Sequence, residues 1–388
     1  MLTIAFEGKR VFNSLTGFGA YSRLAVTDLA RFCPQNRYVL FAHQSLHALS
    51  KNAIFSAPEI ERIVNLDAVK IVFPPDYWKI YWKLFGISRE LRLHDVDLYH
   101  GLTNQIPRSV RRVGIPKILT IHDLIYRHYP ELFPGEDLDA HDHQIRKACA
   151  VSDRIIAVSE NTKKDLVNYF SIDPEKISVI YPVCDRRYRT KSSVGKIRRI
   201  KSKYSLPDKY LLYVGSMTRR KNLLSIVKAI ELLPPADRLP LVVIGVSTAY
   251  TVEILEYVAR HNLERWLVFS TGVTTEDLPT VYQGAEIFLL TSIYEGFGLP
   301  ILEALASGVP VIASNVSAMP EAGGPGSRLV GPDNADEIAT GIIDILKNDT
   351  LRQDMIREGY LYSTNFDNKV TSEKILRLYQ QVLCEKKH

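Results

Sequence analysis

Two glutamates, Glu295 and Glu303, stand on either side of a glycine-rich turn and a proline in the stretch YEGFGLPILEALASG. The apolar run 285–292 before them predicts a buried parallel strand, and the residues from 299 onward predict a short helix that Gly308 ends. The first glutamate therefore lies in the loop and the second on the helix. Carboxylates in these positions can accept hydrogen bonds from hydroxyl groups such as those of a sugar.

The turn between the two glutamates is suited to bind an anion. Gly296 and Gly298 let a ligand approach the backbone closely, and the proline suits the first turn of a helix. The amides of Phe297, Gly298 and Leu299 would then face outward at the positive end of the helix dipole, where a phosphate binds well. A nucleotide sugar has a matching shape, with hydroxyl groups at both ends and a diphosphate between them.

The spacing alone would also fit an ordinary loop acid and an ordinary helix acid. The complete context of strand, Gly-x-Gly-x-Pro turn, helix and second strand favours the functional interpretation. With these features the sequence resembles family 4 of the retaining glycosyltransferases, which have the GT-B fold. The resemblance implies that Glu295 contacts the donor sugar and that Glu303 binds the nucleotide ribose.

A second candidate phosphate site follows the apolar strand predicted at 209–215. Arg220 and Lys221 lie just ahead of a predicted helix that Asn222 can cap. Cations beside a helix start, at the carboxyl edge of a parallel sheet, can neutralise a leaving diphosphate. A solvated basic turn is the alternative interpretation, and the glutamate motif favours the functional one.

The family resemblance extends to this segment. Family members commonly carry a lysine six residues after the glycine that ends the strand, as Lys221 follows Gly215 here. Many members also have arginine directly after that glycine, whereas this chain has Ser216 there and supplies Arg220 instead. The RKN sequence that results is common among relatives that transfer mannose or related deoxysugars, so the resemblance favours GDP-mannose as the donor.

In the first half of the chain, Gly17 and Gly19 precede a predicted amphipathic helix. Glycines at a helix start let the backbone approach a phosphate or a sugar, although glycines also separate strands from helices in most α/β proteins. The resemblance implies a glycine-rich turn that faces the donor across a cleft. We assign that role to these two glycines.

His122 and Asp123 end the predicted strand KILTIHD, at the edge where ligands collect in parallel sheets. A packed, hydrogen-bonded histidine is the alternative to a binding role. We expect His122 to donate a hydrogen bond to a sugar hydroxyl, because the resemblance implies a donor-contacting histidine here; the role of Asp123 stays open. The segment 271–278, which contains Val273, is expected to border the base of the donor without identifying it.

Apolar runs alternate with helical segments in both halves of the chain, which predicts two Rossmann-like, doubly wound α/β domains. The resemblance implies that they face each other across a cleft, as in the GT-B fold. Nine basic residues without an acid between 186 and 203 predict an exposed linker. We expect an acceptor-binding domain at 1–185 and a nucleotide-sugar-binding domain at 186–365. By resemblance, a C-terminal helix within 366–388 crosses back to the first domain.

Several classes of protein are disfavoured by composition. The four cysteines among the 388 residues are scattered, which predicts neither a disulfide framework nor a zinc site. Without a D-x-D sequence in a plausible place, neither a metal nor another cofactor is expected. No signal peptide and no apolar run of spanning length is visible, so we expect a cytoplasmic protein. The basic run lacks the interleaved aromatic residues that a nucleic-acid surface needs, and no nucleic-acid partner is expected.

A cluster of aromatic and basic residues at 76–92 could lie at a membrane interface, where Trp and Tyr settle and lysines meet anionic headgroups. Packing of the same stripe on the sheet is the alternative. A net charge of +6 also suits an anionic membrane surface or a phosphorylated lipid carrier. The expected membrane contacts are Tyr77, Trp78, Tyr81 and Trp82.

These expectations combine into a retaining, metal-independent hexosyltransferase of polysaccharide or lipopolysaccharide biosynthesis. Its donor is expected to be GDP-mannose, and its acceptor a glycan or lipid-linked saccharide. A UDP- or dTDP-linked donor, another GT-B enzyme such as a phosphorylase or an epimerase, and a basic nucleic-acid-binding protein are the alternatives. The acceptor surfaces of the first domain have no code that can be read from sequence.

Overall fold

The computed structural model describes residues 1–14, 17–45, 49, 58–74 and 86–386. The chain divides into two compact units. The first unit joins Met1–Val183 to the C-terminal segment Asn368–His388, and the second unit is Cys184–Asp367. The first division falls two residues before the domain boundary that the basic linker predicts.

The first unit is built on a sheet of seven parallel strands in the order β3-β2-β1-β4-β5-β6-β7. Most of these strands are apolar on both faces, as parallel strands covered by helices on both sides must be. The order reverses between β1 and β4, which makes their carboxyl ends the topological switch point of this sheet. The strands are β1 (Thr3–Glu7), β2 (Arg37–Phe41), β3 (Val69–Val72), β4 (Leu98–Gly101), β5 (Lys117–Ile121), β6 (Arg154–Ala157) and β7 (Ile177–Val179).

Helices cover both faces of this sheet, and a separate apolar cluster lies on each face. Alternate residues of β1 belong to different clusters, because successive side chains of a strand point to opposite faces. The described helices of the first unit are Lys9–Asn13, Gly17–Phe32, Pro58–Val64, Ile87–Leu93, Arg108–Arg111, Ile125–His128, Leu138–Val151, Glu160–Phe170 and Asn368–Glu385.

The C-terminal helix, Asn368–Glu385, is an integral part of the first unit, so its predicted return to that domain is confirmed. Its buried stripe joins the same apolar cluster as Ile4 and Phe6 of β1. Tyr379 is fully buried, and its hydroxyl lies 2.7 Å from Nδ1 of His100 on β4. The helix is therefore held by the core of the first sheet.

The second unit contains a parallel sheet of six strands in the order β10-β9-β8-β11-β12-β13. Here the switch point lies between β8 and β11. The strands are β8 (Leu211–Val214), β9 (Leu241–Ile244), β10 (Leu267–Phe269), β11 (Ile287–Leu290), β12 (Val311–Ser314) and β13 (Ser327–Val330). The helices are Val194–Lys203, Leu223–Leu232, Tyr250–Arg260, Leu278–Gln283, Leu299–Ala306, Met319–Gly323, Ala335–Lys347 and Asp349–Ser363.

The helix that carries Glu303 has the bounds that sequence rules predict. It runs Leu299–Ala306 with Pro300 in its first turn, and Gly308 follows its end with a left-handed φ of 71°. The strand before the motif, β11, is four residues long and lies inside the predicted apolar run. The first glutamate is thus in the loop and the second on the helix, as predicted.

Among the described residues, none of the helices has the length and apolarity needed to cross a membrane. The expected membrane contacts Tyr77, Trp78, Tyr81 and Trp82 lie outside the described residues.

Candidate functional site

The two phosphate-facing segments of the second unit start from neighbouring strands. β8 and β11 are paired in parallel, with Leu211 beside Ile287 and Leu212 beside Phe288. Their carboxyl ends therefore lie side by side at the switch point, and so do the loops that leave them. Tertiary structure brings the basic segment and the first glutamate together although 73 positions separate Asn222 from Glu295 in the sequence.

A buried carboxylate with three donors lies at the centre of this site. Glu295 Oε1 is 2.6 Å from Nζ of Lys221 and 2.7 Å from a guanidinium nitrogen of Arg220. Ser292 Oγ donates a hydrogen bond of 2.8 Å to the same oxygen. Glu295 and Lys221 are each only 9% exposed. Arg220 points into the site and not to solvent.

The two cations determine the ionisation of Glu295. Burial by itself would raise its pKa, but the charges of Arg220 and Lys221 outweigh burial and hold the pKa at about 2. Burial lowers the pKa of Lys221, against the attraction of Glu295. With Glu295, Arg220 and Lys221 all ionised, the three side chains together carry one net positive charge.

Hydrogen bonds to backbone groups fix the loop of Arg220 to the loop of Glu295. Arg220 donates a side-chain hydrogen bond of 2.8 Å to the carbonyl of Tyr294, and its own carbonyl accepts one of 2.9 Å from the amide of Ile293. The amide of Glu295 donates to Ser317 Oγ at 3.0 Å, which ties the loop to the segment after β12. The loop that carries Glu295 is therefore held by hydrogen bonds to the loop of Arg220 and to Ser317.

The predicted cap by Asn222 is wrong. Asn222 precedes the helix Leu223–Leu232 but has a left-handed conformation with φ of 52°, and its side chain caps no amide of that helix. Its amide group instead donates to the carbonyl of Pro332 at 2.7 Å and to Asp333 Oδ1 at 3.0 Å. The side-chain nitrogen thus bonds to the loop after β13, while the side-chain oxygen accepts a hydrogen bond of 2.9 Å from the hydroxyl of Ser225 on the helix.

Glu303 lies near this cluster in a phenolic environment. Tyr282 donates its hydroxyl proton to Glu303 Oε2 at 3.0 Å, and Tyr188 also hydrogen-bonds to the carboxyl group. Burial raises the pKa of Glu303 to about 7, although both phenols act in the opposite direction. The negative charge of Glu303 also acts on the pKa of Lys221, so the structure brings the second glutamate close to the first cluster.

The helix start between the glutamates has the backbone that the glycine-rich turn predicts. Gly298 has φ of 123°, and a Cβ there would lie 3.1 Å from the Cβ of Ala322. As the residue before Leu299 it has no side chain with which to cap the first-turn amides. Phe297 is buried, with its ring 5.6 Å from that of Phe366.

Ser216 and Val273 lie on two other loops of the second unit. The carbonyl of Ser216 accepts a hydrogen bond of 3.0 Å from the hydroxyl of Tyr213. Burial and then the charge of Glu295 raise the pKa of Tyr213, which connects Ser216 to the glutamate cluster. Val273 is partly buried in a largely exposed loop, and none of the hydrogen bonds or ion pairs of the described residues connects it to Glu295.

In the first unit, His122 directly follows β5 and is held by neighbours on all sides. Its Nε2 donates a hydrogen bond of 2.8 Å to the carbonyl of Leu102. Its amide donates to Asn104 Oδ1 at 2.8 Å, and its carbonyl accepts from Thr162 Oγ1 at 3.1 Å. Burial lowers the pKa of His122 to about 4, so the ring is neutral at physiological pH.

These contacts correct the predicted direction of the hydrogen bond from His122 to a sugar. The neutral ring carries one proton, and Nε2 uses it for the carbonyl of Leu102. Nδ1 is then the ring nitrogen left to face a ligand, and it can only accept. Sequence could not show this, because the tautomer depends on a carbonyl that folding places beside the ring.

Gly17 and Gly19 lie at the start of the helix Gly17–Phe32, as predicted. A Cβ on Gly19 would lie 2.0 Å from the carbonyl oxygen of Ser14, so only glycine fits there, whereas a Cβ on Gly17 would meet nothing within 4 Å. This helix start packs on the predicted histidine: the rings of Phe18 and His122 meet edge to face at 4.7 Å.

Sequence reasoning missed several residues that the structure places around the two glutamates. Ser292 and Ser317 bind Glu295 through its carboxylate and its amide. Tyr282 and Tyr188 both hydrogen-bond to Glu303. No local sequence pattern indicates that either tyrosine belongs to the site. In the described ranges, no group of three or more His, Cys, Asp or Glu side chains is arranged to hold a metal ion.

Comparison with known proteins identifies the family of the chain. Residues 25–187 match the family described as Glycosyltransferase Family 4, and residues 196–362 match Glycosyl transferases group 1. The chain is 29% identical to O-antigen chain mannosyltransferase B of Escherichia coli over 75% of this chain and 76% of that protein. It is 28% identical to O-antigen chain mannosyltransferase RfbU of Salmonella typhimurium over 64% of this chain and 66% of that protein.

Solved structures of low sequence identity share the fold. HepE from Anabaena in complex with UDP and glucose superposes with a TM-score of 0.75 at 17% identity, covering 98% of this chain and all of that one (100%). The lipopolysaccharide glycosyltransferase WaaG superposes with a TM-score of 0.69 at 16% identity, covering 97% of this chain and 99% of that one. The two sheets with their helices thus form a GT-B fold, and the chain belongs to the family 4 glycosyltransferases.

Proposed function

We propose that this glycosyltransferase moves mannose from GDP-mannose to a glycan or lipid-linked saccharide, with retention of the anomeric configuration, in the assembly of an O-antigen type polysaccharide. The observation that carries the proposal is the buried group formed by Arg220, Lys221 and Glu295 at the switch point of the second sheet. The mannosyltransferase names of two relatives support the choice of sugar.

The charges of the site suit a leaving nucleoside diphosphate. Departure of the diphosphate develops negative charge on its oxygens and positive charge on the sugar ring. Lys221, Arg220 and the first-turn amides at Gly298 can stabilise the first charge, and the ionised Glu295 can stabilise the second and accept sugar hydroxyl protons in hydrogen bonds. We propose that the departing phosphate accepts the proton of the acceptor hydroxyl and that no metal takes part.

We assign the remaining donor contacts to three places. Glu303 accepts hydrogen bonds from the ribose, while Ser216 and Val273 border the nucleotide. His122, with the helix start at Gly17 and Gly19, contacts the donor sugar from the first unit. The first unit also binds the acceptor.

A thermal-shift panel tests the donor. GDP-mannose, UDP-glucose, a dTDP-sugar and an ADP-sugar are each added to the full chain, and the melting temperature is recorded, because a ligand that binds only the folded form raises it. We expect the largest shift with GDP-mannose and a smaller one in Glu303→Ala, which removes the proposed ribose contact. A larger shift with another nucleotide sugar would replace the donor, and no shift with any of them would overturn the proposal.

We further propose that the enzyme works at the cytoplasmic face of a membrane, where a lipid-linked acceptor would lie. The net charge of +6 supports this placement, because anionic headgroups attract a basic protein. Flotation with anionic and neutral vesicles tests it. We expect binding to anionic vesicles at low salt, weaker in a variant with Trp78→Ala and Trp82→Ala; absence of wild-type binding would remove the membrane from the proposal.

A further inference from the structure

Both sheets reverse their strand order at one place, and each reversal creates a switch point at the carboxyl ends of two strands. In the second unit, Glu295 and Lys221 lie where β8 and β11 end. The corresponding place in the first unit is between the ends of β1 and β4, and the last residues of these strands are Glu7 and Gly101. Ligands of open parallel sheets bind outside the carboxyl ends at such a reversal of strand order. The carboxylate of Glu7 is therefore at a position where parallel sheets commonly bind ligands.

Glu7 lies on the same face of the sheet as an unsatisfied phenol. Tyr99 of β4 is paired with Ala5, and Glu7 is two residues further along β1, so the side chains of all three project to one face. Tyr99 is fully buried, and its hydroxyl has no hydrogen-bond partner among the residues that the structure describes. Burial and then the negative charge of Glu7 raise the pKa of Tyr99, which requires the two groups to be neighbours. An orphaned buried hydroxyl is rare in a folded protein and marks a place where a partner is missing.

The surroundings of Glu7 connect it to the part of the first unit where His122 lies. Burial raises the pKa of Glu7, although Lys9 and Arg10 act in the opposite direction. The guanidinium of Arg10 lies 5.8 Å from the ring centroid of Phe18, and that ring meets His122 edge to face. Lys9 and Arg10 act on the Glu7 carboxylate by their charge, and no ion pair within 4.0 Å joins it to a cation in the described ranges.

We infer that Glu7 binds a hydroxyl group of the acceptor saccharide at the switch point of the first sheet, and that Tyr99 is its positioning residue. The inference rests on the proposed transferase function. A saccharide supplies neutral hydroxyl donors, whose hydrogen bonds a partly buried carboxylate can accept when no cation lies within ion-pair distance of it. The phenolic proton of Tyr99, which has no acceptor among the described residues, is available to the carboxylate when the saccharide binds, and the remaining oxygen lone pairs then serve the acceptor.

Steady-state kinetics with GDP-mannose as donor and mannobiose as acceptor tests the inference. Glu7→Gln keeps the shape and removes the charge, and Tyr99→Phe removes only the orphaned hydroxyl. We expect Glu7→Gln to raise the KM for mannobiose about tenfold or more, since a charge-assisted hydrogen bond becomes a neutral one. Tyr99→Phe should raise the same KM by about two- to fivefold without lowering the melting temperature. The matched control is Glu61→Gln, an exposed glutamate of the same unit, which should change neither.

The thermal shift given by GDP-mannose separates this inference from the proposed function. It should be the same in wild type, Glu7→Gln and Glu61→Gln, because the groups proposed to bind the diphosphate and the ribose of the donor lie in the second unit and neither substitution touches them. An unchanged KM for mannobiose in Glu7→Gln, or no saturable dependence of the wild-type rate on mannobiose, would overturn the acceptor site while a GDP-mannose shift still supports the transferase. A Tyr99→Phe variant that loses stability with an unchanged KM would give Tyr99 a purely structural role and overturn its part.

Discussion

At the scale of single residues, the two glutamates of the motif have opposite ionisation behaviour although they lie in one site. Glu295 is held ionised by Arg220 and Lys221, which keep its pKa at about 2. Glu303 has phenols as neighbours, and burial raises its pKa to about 7. The difference follows from the charge of the nearest groups and not from the degree of burial. We therefore expect substitutions near Glu295 and substitutions of Glu303 to affect different kinetic constants.

Lys221→Ala should lower turnover more than it weakens nucleotide binding, because its charge is needed most when the diphosphate leaves. We expect kcat to fall about 100-fold or more, as for loss of other groups that stabilise transition-state charge. Glu303→Ala should mainly raise the KM for the donor, since the ribose contacts proposed for Glu303 are the same in ground and transition states. Measurement of kcat and KM for both variants checks this division, and identical kinetic profiles would contradict it.

Nucleotide affinity should depend on the ionisation of Glu303. The pKa of about 7 means that the carboxyl is largely protonated at pH 6 and largely ionised at pH 8. Only the ionised form accepts two ribose hydroxyls, so GDP binding should release a proton and weaken as pH falls, by roughly tenfold between pH 8 and pH 6.

Calorimetry of GDP binding at the two pH values measures this effect. Glu303→Gln is the control: it keeps the titration of the phosphate and lacks that of the carboxyl. A Glu303→Gln variant with the same pH dependence as wild type would assign the effect to the ligand.

At the scale of elements, the helix Leu299–Ala306 depends on a residue with unusual backbone. Gly298→Ala places a Cβ at φ of 123° and 3.1 Å from Ala322. We expect a loss of about 1–3 kcal/mol in the free energy of unfolding and a higher KM for the donor, because the first-turn amides shift. Thermal melting and donor kinetics measure both effects.

Gly195→Ala is the matched control for this substitution. A Cβ on Gly195 meets nothing within 4 Å, and the residue lies in the helix Val194–Lys203. Alanine there should stabilise by about 0.5–1 kcal/mol. Equal melting temperatures for the two alanine variants would contradict the role given to Gly298.

At the scale of the whole molecule, the C-terminal helix belongs to the fold of the first unit. Tyr379 contacts Nδ1 of the fully buried His100, whose Nε2 lies 2.8 Å from Thr120 Oγ1. Burial lowers the pKa of His100 to about 3, so the ring is neutral and needs a hydrogen-bond partner on each nitrogen. The last helix of the sequence thus completes a polar network inside the first sheet.

Tyr379→Phe should destabilise the first unit by about 1–3 kcal/mol, since it leaves one nitrogen of a buried imidazole without a partner. Hydrogen exchange should quicken in residues 1–183 and remain unchanged in 184–367, because Tyr379 packs in the apolar cluster of the first unit and bonds to His100 there. The same change at the exposed Tyr360 should affect neither segment. Faster exchange confined to the second unit would contradict this role of the helix.

The sequence by itself determined the two doubly wound domains, because apolar runs alternating with amphipathic segments leave few other ways to bury both faces of each strand. It also determined which loop carries Glu295 and which helix carries Glu303, since proline, glycine and the end of an apolar run are local signals.

Only the tertiary structure decided which groups meet. The pairing of β8 with β11 brings Lys221 to Glu295, and a carbonyl of another loop sets the tautomer of His122. Asn222 has left-handed backbone, and its side-chain nitrogen bonds to the loop after β13 while its side chain caps no helix amide. The physical reason is that hydrogen bonds and charge effects depend on distance in space, which strand order sets and local sequence does not record.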